Sequence, residues 1–407
     1  MYLTDEEKRM LNGEHGEIVQ KCMKVLVTLG EIYDAERMIE ISSVHSPGVS
    51  YRVAGDAGLN YVKDASSQGC FKIPTTLNTV GIDTEGWKKI GFPTDFSLKQ
   101  LELIDAYGKL GSIYTNTCTP YLVGSIPKFG EHVAWGESSA VAFVNSVIGA
   151  RTNREGGPSA LAAAVTGRVP YYGYHLDSSR KSKFLIQVEV EVKSDRDYAV
   201  LGYYAGHSCG KEVLAFDGIK KCPTMENLKA LSAAVASSGA VALYHILGVT
   251  PEATTMQVID DKVETLKFGP NEYRKTVEKF SYTGEVDFVV IGCPHCSIIE
   301  IRQAAALLKG KRIESDMWIC TSRQVKTLAD KMGYTKTIED AGAQIVCDTC
   351  PVLCPTLERG YRNIITNSAK LAHYAPGLWN VKTALIETED CIKAAITGKW
   401  RGEHWRK

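Results

Sequence analysis

The last third of the chain restricts the fold most. Four short apolar runs there each end in a group of polar or thiol side chains. Asp287–Ile291 leads into Gly292-Cys293-Pro294-His295-Cys296-Ser297, and Met317–Ile319 into Cys320-Thr321-Ser322-Arg323. Gln344–Val346 leads into Cys347-Asp348-Thr349-Cys350-Pro351, and Asn363–Ile365 into Thr366-Asn367-Ser368-Ala369-Lys370. Uninterrupted apolar runs alternating with helical stretches predict an α/β fold, with strands buried on both faces of a parallel sheet and helices as crossovers. In open sheets of this kind ligands bind beyond the carboxyl ends of the strands. One crevice is therefore expected to gather cysteine, arginine, serine, threonine, asparagine and lysine side chains.

A chain of 407 residues exceeds one ordinary core, so several domains are expected. The sequence suggests an N-terminal α/β domain over 1–157, a middle α+β domain over 158–283 and a C-terminal α/β domain over 284–407, cut near Gly156-Gly157-Pro158 and Tyr282-Thr283-Gly284. Residues 5–36 have helical spacing and 37–43 read as a strand, running into the loop Val44-His45-Ser46-Pro47-Gly48-Val49-Ser50. With a helix behind it, that loop could offer backbone N–H groups to an anion; a plain turn fits the same residues. Pro74–Thr79 forms a second polar loop. In the middle third, Phe184–Val192 alternates at period two, Tyr198–Tyr204 reads as another strand, and Ala230–Gly239 as a buried helix before a strand at Val241–Ile246.

Lysine plus arginine equals aspartate plus glutamate at 47 each, which gives no support to nucleic-acid or polybasic membrane partners. The opening residues are charged where a secretory signal needs an apolar core, so a soluble, cytoplasmic protein is expected. The 12 cysteines then argue against a disulfide framework. Cys22, Cys209, Cys222 and Cys391 read as packing residues. Cys293-x-x-Cys296 with Cys347-x-x-Cys350 could form a zinc site, and Cys347-x-x-Cys350-x-x-x-Cys354-Pro355 echoes part of a ferredoxin run; an iron–sulfur cluster, zinc and no metal all stay open. Cys118, in Thr115-Asn116-Thr117-Cys118-Thr119-Pro120, is a further candidate in an unusually polar setting. Arg151 and Arg154 after an apolar helix could fork a carboxylate or simply be solvated. Trp135-Gly136-Glu137-Ser138-Ser139 could be an N-cap or a polar site.

Taken together, Ser46–Ser50, Asn116–Pro120, Asn145–Arg154, Gly292–His295, Trp318–Arg323, Thr349–Pro351 and Thr366–Tyr374 resemble aconitase X, in order along nearly the whole chain. The resemblance implies an aconitase-like multidomain architecture with a cluster at the strand carboxyl ends. It implies three cluster ligands from separate segments, Cys118, Cys293 and Cys350, which leaves Cys296, Cys347 and Cys354 as bystanders. The cluster would be [4Fe-4S] with one open iron acting as a Lewis acid on a hydroxyl. The implied activity is a hydro-lyase, a dehydratase of a small anionic hydroxy acid. Stand-alone large subunits of this length resemble the type dehydrating (R)-5-phosphomevalonate to trans-anhydromevalonate 5-phosphate in an archaeal mevalonate pathway; the alternative is a cis-3-hydroxy-L-proline dehydratase.

A small subunit supplying a catalytic serine is also implied, so the chain alone should be inactive. Lys370 and Arg323, at strand ends, would stabilise developing carboxylate charge. Gly48, Val49 and Ser50 with Asn78 and Thr79 would hold the distal anionic end, and Ser138 and Ser139 would touch substrate. Readings from other classes are an electron-transfer protein with a fully ligated cluster and a zinc-stabilised scaffold.

Overall fold

The computed structural model describes residues 1–254, 256–355 and 360–402. Its C-terminal part is built on a five-stranded, wholly parallel sheet in the spatial order Gln344–Cys347, Asp316–Thr321, Phe288–Ile291, Asn363–Thr366, Lys382–Leu385. All four apolar runs are strands, and a fifth follows at Lys382–Leu385. The central strand Phe288–Ile291 is buried at every position, which explains why its sequence shows no alternation. From it the chain winds outward in one direction through two strands, then restarts on the other side. The switch point thus lies between Phe288–Ile291 and Asn363–Thr366, where such sheets open a crevice.

Three of the crossover helices begin on serine. Ser297, Ser322 and Ser368 accept hydrogen bonds from the backbone N–H groups of Glu300, Val325 and Leu371 at 3.3, 3.2 and 3.1 Å. Each cap stabilises its helix by about 1 kcal/mol and turns the chain sharply at the sheet edge. The sheet separates two cores. One contains Cys296, Cys347, Cys391, Ile301, Ile319 and Ile345. The other contains Cys293, Cys320, Cys350, Cys354, Trp318 and Phe288, together with Ile82 and Trp87 from the first part of the chain.

The N-terminal part holds a three-stranded parallel sheet in the order Thr75–Leu77, Val44–Ser46, Ala134–Trp135. Both polar loops expected from the sequence therefore start one strand later. Val44–Ser46 and Thr75–Leu77 are fully buried strands, and His45 Nδ1 pairs with Thr76 Oγ1 at 2.9 Å across them, so polarity there did not signal a loop. The 37–43 run contributes only Met38–Glu40, paired antiparallel with Arg168–Pro170. A helical segment, Tyr51–Gln68, follows Ser50 and is broken after its first turn at Gly55, which sits at φ +59. Residues 5–36 divide into helices Asp5–Asn12 and Glu17–Ile32 around Gly13 and Gly16, both at positive φ. Helix Gly157–Thr166 packs on Glu17–Ile32 and on the Val44–Ser46 strand.

The middle part is a four-stranded parallel sheet in the order Tyr244–Ile246, Leu214–Asp217, Ser182–Val188, Ile259–Phe268. Tyr198–Tyr204 is not a strand. It lies inside the helix Asp195–Cys209, which opens on a Ser194/Asp197 capping box. This helix packs closely on Met225–Gly239, where added Cβ atoms at Gly202 and Gly206 would come within 2.9 Å of the Leu231 carbonyl and 2.7 Å of the Val235 carbonyl. Burial on nearly every side hid the helical period. Among the described residues, no helix is long and apolar enough to cross a membrane.

Candidate active site

The switch point is where the thiols meet. Cys293 follows the central strand, Cys350 follows Gln344–Cys347, and Cys118 arrives from the N-terminal part just before the short turn Pro120–Leu122. All three are buried and lie within electrostatic reach of one another, as Cys354 does of Cys350 and Cys296 of Cys118. The Cys-x-x-Cys pairs, by contrast, are split by the sheet: Cys293 and Cys350 join one core, Cys296 and Cys347 the other. In each pair the chain has left its strand by the second member, and the two fall on opposite faces of the sheet. Among the described residues no group of three or more Cys, His, Asp or Glu side chains converges on the position of a single metal ion. The four-cysteine zinc arrangement is thus not formed. Burial pushes the Cys118 thiol up to about 12, with the Glu137 carboxylate adding to the effect, and pushes Cys350 well above the ordinary range.

Lys370 stands on the first turn of Ala369–Trp379, on the other flank of the switch point. Its Nζ donates to Glu137 Oε1 at 2.5 Å, Ser139 Oγ at 2.9 Å and Ser138 Oγ at 3.2 Å. The N-cap expectation for Trp135–Ser139 holds. Glu137 caps the helix Ser138–Phe143, accepting from Ala140 N–H at 2.7 Å, and also neutralises the lysine. Burial alone would raise the Glu137 carboxyl, but the Lys370 charge and these hydrogen bonds outweigh it and hold it below its ordinary value. Burial opposes charge on Lys370 too; Glu137 and the neighbouring Cys293 and Cys118 raise it nonetheless, so it is an ammonium at any ordinary pH. Ser368, on the same loop, donates to the Cys293 carbonyl.

His295 was not singled out by the sequence, although its Cys-Pro-His-Cys setting marks it. Its Nε2 meets the Thr349 carbonyl at 3.0 Å and its Nδ1 meets Thr117 Oγ1 at 2.9 Å, while its backbone N–H donates to Cys118 Sγ at 3.3 Å. Burial depresses its pKa to about 4, so the ring is neutral. Three buried polar atoms in this neighbourhood have no hydrogen-bond partner among the described residues: Asn116 Oδ1, Tyr121 Oη and His45 Nε2. The Tyr121 hydroxyl feels the charge of Cys118 and Glu137, and His45 that of Glu137. Orphaned groups of this kind are rare in native interiors and suit a bound ligand.

Arg323 is placed differently from the expectation. Its guanidinium bonds Asp83 at 2.5 Å and Asp348 at 2.7 Å and lies 3.3 Å from Glu85. Asp83 accepts the Cys347 backbone N–H at 2.9 Å, and Thr84 Oγ1 donates to Asp348 at 2.7 Å. This cluster ties the N-terminal part to the C-terminal sheet and surrounds Arg323 with carboxylates, while its Nε has no hydrogen-bond partner among the described residues.

The Gly48–Ser50 loop lies against the segment after Cys350: Ser50 Oγ donates to the Leu353 carbonyl at 3.2 Å, and Arg52 to the Cys354 carbonyl at 2.8 Å. Gly48 sits at φ +71, where a side chain is strained. Gln100 braces the loop, donating to the Val49 carbonyl at 2.9 Å and accepting from Tyr51 N–H at 2.8 Å. Asn78 N–H donates to the Ser46 carbonyl at 3.0 Å, and Thr79 Oγ1 to Asn78 Oδ1 at 3.3 Å, which holds this pair beside the same loop. Arg151 pairs with Asp177 and donates to the His175 carbonyl at 3.1 Å, outside this site.

A parallel sheet whose switch point carries three buried thiols and a captive ammonium defines a class: α/β proteins with a thiolate-lined polar site suited to a soft metal centre and a small anionic molecule. The comparisons name the family. The aconitase X first, second and third domains match residues 1–178, 182–278 and 286–397, and this chain belongs to the aconitase X family. It is 44% identical over 401 residues to the phosphomevalonate dehydratase large subunit of Methanocaldococcus jannaschii, covering 97% of this chain and 100% of that one. The crystal structure of Thermococcus kodakaraensis aconitase X in its holo-form superposes with a TM-score of 0.89 at 43% identity, covering 97% of this chain and 100% of that chain. The cis-3-hydroxy-L-proline dehydratase of Pseudomonas aeruginosa is 35% identical over 97% of this chain, which spans 70% of that protein.

Proposed function

We propose that this chain is the large subunit of a hydro-lyase that dehydrates (R)-5-phosphomevalonate to trans-anhydromevalonate 5-phosphate, with an iron–sulfur cluster held by Cys118, Cys293 and Cys350. The observation that carries the substrate is the 44% identity spanning the whole of a relative named for that reaction, against 35% to a longer hydroxyproline dehydratase. The donor set supports the cluster. Three buried thiols give up their protons only to a cation that replaces them, and soft thiolates suit iron–sulfur centres. The His295 N–H already points at one sulfur, and unpartnered polar atoms lie close by.

When bound, such a cluster, [4Fe-4S] with one open iron, supplies a Lewis acid for the leaving hydroxyl. Lys370, fixed as an ammonium, stabilises the negative charge that grows on the substrate carboxylate as the neighbouring proton leaves. Glu137, Ser138 and Ser139 hold its Nζ in place. The Gly48–Ser50 loop, with Asn78 and Thr79, holds the distal phosphate at the start of Tyr51–Gln68. Neither Glu137, which is spent on the lysine, nor His295, which has both nitrogens engaged, is a ready base. The proton acceptor is a serine of a small subunit, a partner in keeping with relatives named as large subunits.

The test is anaerobic co-expression with the small subunit, followed by dehydration assays on 5-phosphomevalonate and cis-3-hydroxy-L-proline. Activity confined to the phosphorylated acid, and lost without the small subunit, is expected. Activity on hydroxyproline alone would overturn the substrate while keeping the reaction class.

A further inference from the structure

His295 is the point at which all three cysteine-bearing segments meet. Its ring spans from Thr117, next to Cys118, to Thr349, next to Cys350, and it lies two residues after Cys293. The direction of every bond is fixed by chemistry. The Thr349 carbonyl can only accept, so Nε2 carries the hydrogen and Nδ1 accepts from the Thr117 hydroxyl. The Thr117 oxygen in turn accepts from Thr119 N–H at 3.2 Å and lies 3.1 Å from Thr119 Oγ1. The backbone of His295 extends the junction: its N–H reaches Cys118 Sγ at 3.3 Å, and its carbonyl accepts from Lys229 Nζ at 3.0 Å. Lys229 comes from the helix Met225–Gly239 and is itself buried against Glu300. One imidazole therefore links segments from the N-terminal and C-terminal parts, and its main chain adds the middle part.

We propose that His295 is a positioning residue that locks the Cys118, Cys293 and Cys350 loops into a single ligand set; this rests on the cluster reading above. Two effects act together. The ring fixes the spacing of the loops, and the rigid loop aims an N–H at Cys118 Sγ, which holds that sulfur in one orientation. Gln at this position can still donate to Thr349 but cannot keep the imidazole's two rigid, opposed bonds. Thr117→Val removes the donor to Nδ1 at nearly constant shape and leaves the histidine in place.

The experiment uses the two-subunit complex, wild type against His295→Gln and Thr117→Val, with two readouts. In metal-free protein, alkylation of individual cysteines is followed by mass spectrometry, with Cys391 as the internal control because it is buried in the opposite core. Alkylation of Cys118 and Cys350 is expected to speed up about 10-fold or more in His295→Gln, less in Thr117→Val, with Cys391 unchanged. In anaerobically reconstituted protein, chelator-driven cluster loss is expected to be about 10- to 100-fold faster in His295→Gln, with an altered electron paramagnetic resonance line shape. Equal acceleration at Cys391 would reduce the histidine to a general stability role and overturn the proposal. Wild-type rates at Cys118 and Cys350 in both variants would overturn it too. A wild-type complex that binds no iron or sulfide defeats the cluster reading itself, and the ligand-set proposal with it, whereas a loaded wild type with indifferent variants defeats only the role of His295.

Discussion

Lys370 and Arg323 flank the central strand Phe288–Ile291 on either side, each on the first turn of the helix that follows a neighbouring strand, and each is bound by buried carboxylate. Lys370 has one carboxylate, Glu137, and two hydroxyls, in a pocket within electrostatic reach of Cys118 and Cys293. Arg323 has three carboxylates, Asp83, Asp348 and Glu85, and its cluster joins loops of two parts of the chain. The first arrangement is balanced in charge and made of partners that can yield to an anionic ligand. The second has more negative than positive charge, which makes it a clasp and a poor place to receive another anion. Under the proposed function, similar chemistry at equivalent edges of one sheet serves two purposes, and the count of counter-charges decides which.

The contrast can be broken by removing each cation. Lys370→Met is expected to lower kcat of the reconstituted complex by about 10²–10³-fold, the usual cost of losing one preorganised charge donor. If the loss appears only in KM, the lysine acts in binding alone. Arg323→Met should instead act on stability, by about 2–3 kcal/mol in chemical denaturation, since it strands two buried carboxylates in a partly solvated site. The folded fraction should keep a kcat close to wild type, and a large kcat loss there would erase the distinction.

Acid should sharpen it. Glu137 is held below its ordinary 4.5 in the fold, so its pair with Lys370 contributes stability above that value and loses it as pH falls through the lower folded value. Asp348 is pushed above its ordinary 3.8 by burial, which the Arg323 charge does not fully offset, so ionising it costs stability as pH rises from 3.8 through its raised value. Measured against wild type by thermal unfolding from pH 7 downward, the deficit of Glu137→Gln should therefore shrink below pH 4.5, while Asp348→Asn should show no matching gain in acid. The smallest effect is expected from Ser139→Ala: about 1 kcal/mol for one buried hydrogen bond, seen as a modest loss in kcat/KM.

The sequence announces the sheet because a parallel strand buried on both faces must be apolar throughout, and the serines capping the helices mark where each strand ends. The family resemblance named Lys370, Ser138 and Ser139 separately, and it is the fold that brings the lysine onto the two serines. The sequence could not separate Lys370 from Arg323, since the carboxylates that distinguish them lie at Glu137, Asp83 and Asp348, far away in the chain. The Cys-x-x-Cys spacing misled for a related reason: where the chain leaves its strand, residues three apart fall on opposite faces of the sheet. Tyr198–Tyr204 was misread because a helix buried on nearly all sides has no polar stripe to reveal its period. The Cys-Pro-His-Cys setting marks His295 and the Trp135–Ser139 stretch marks Glu137, but neither local pattern shows the distant segments that these residues join.

The most direct test of the central claim is iron and acid-labile sulfide content after anaerobic reconstitution of single Cys→Ser variants in the two-subunit complex. Cys118→Ser, Cys293→Ser and Cys350→Ser should each lose the cluster, while Cys296→Ser and Cys347→Ser, on the opposite face of the sheet, should retain it. A full cluster in any of the first three, or its loss in either of the last two, would contradict the assignment of the switch-point thiols as the ligand set.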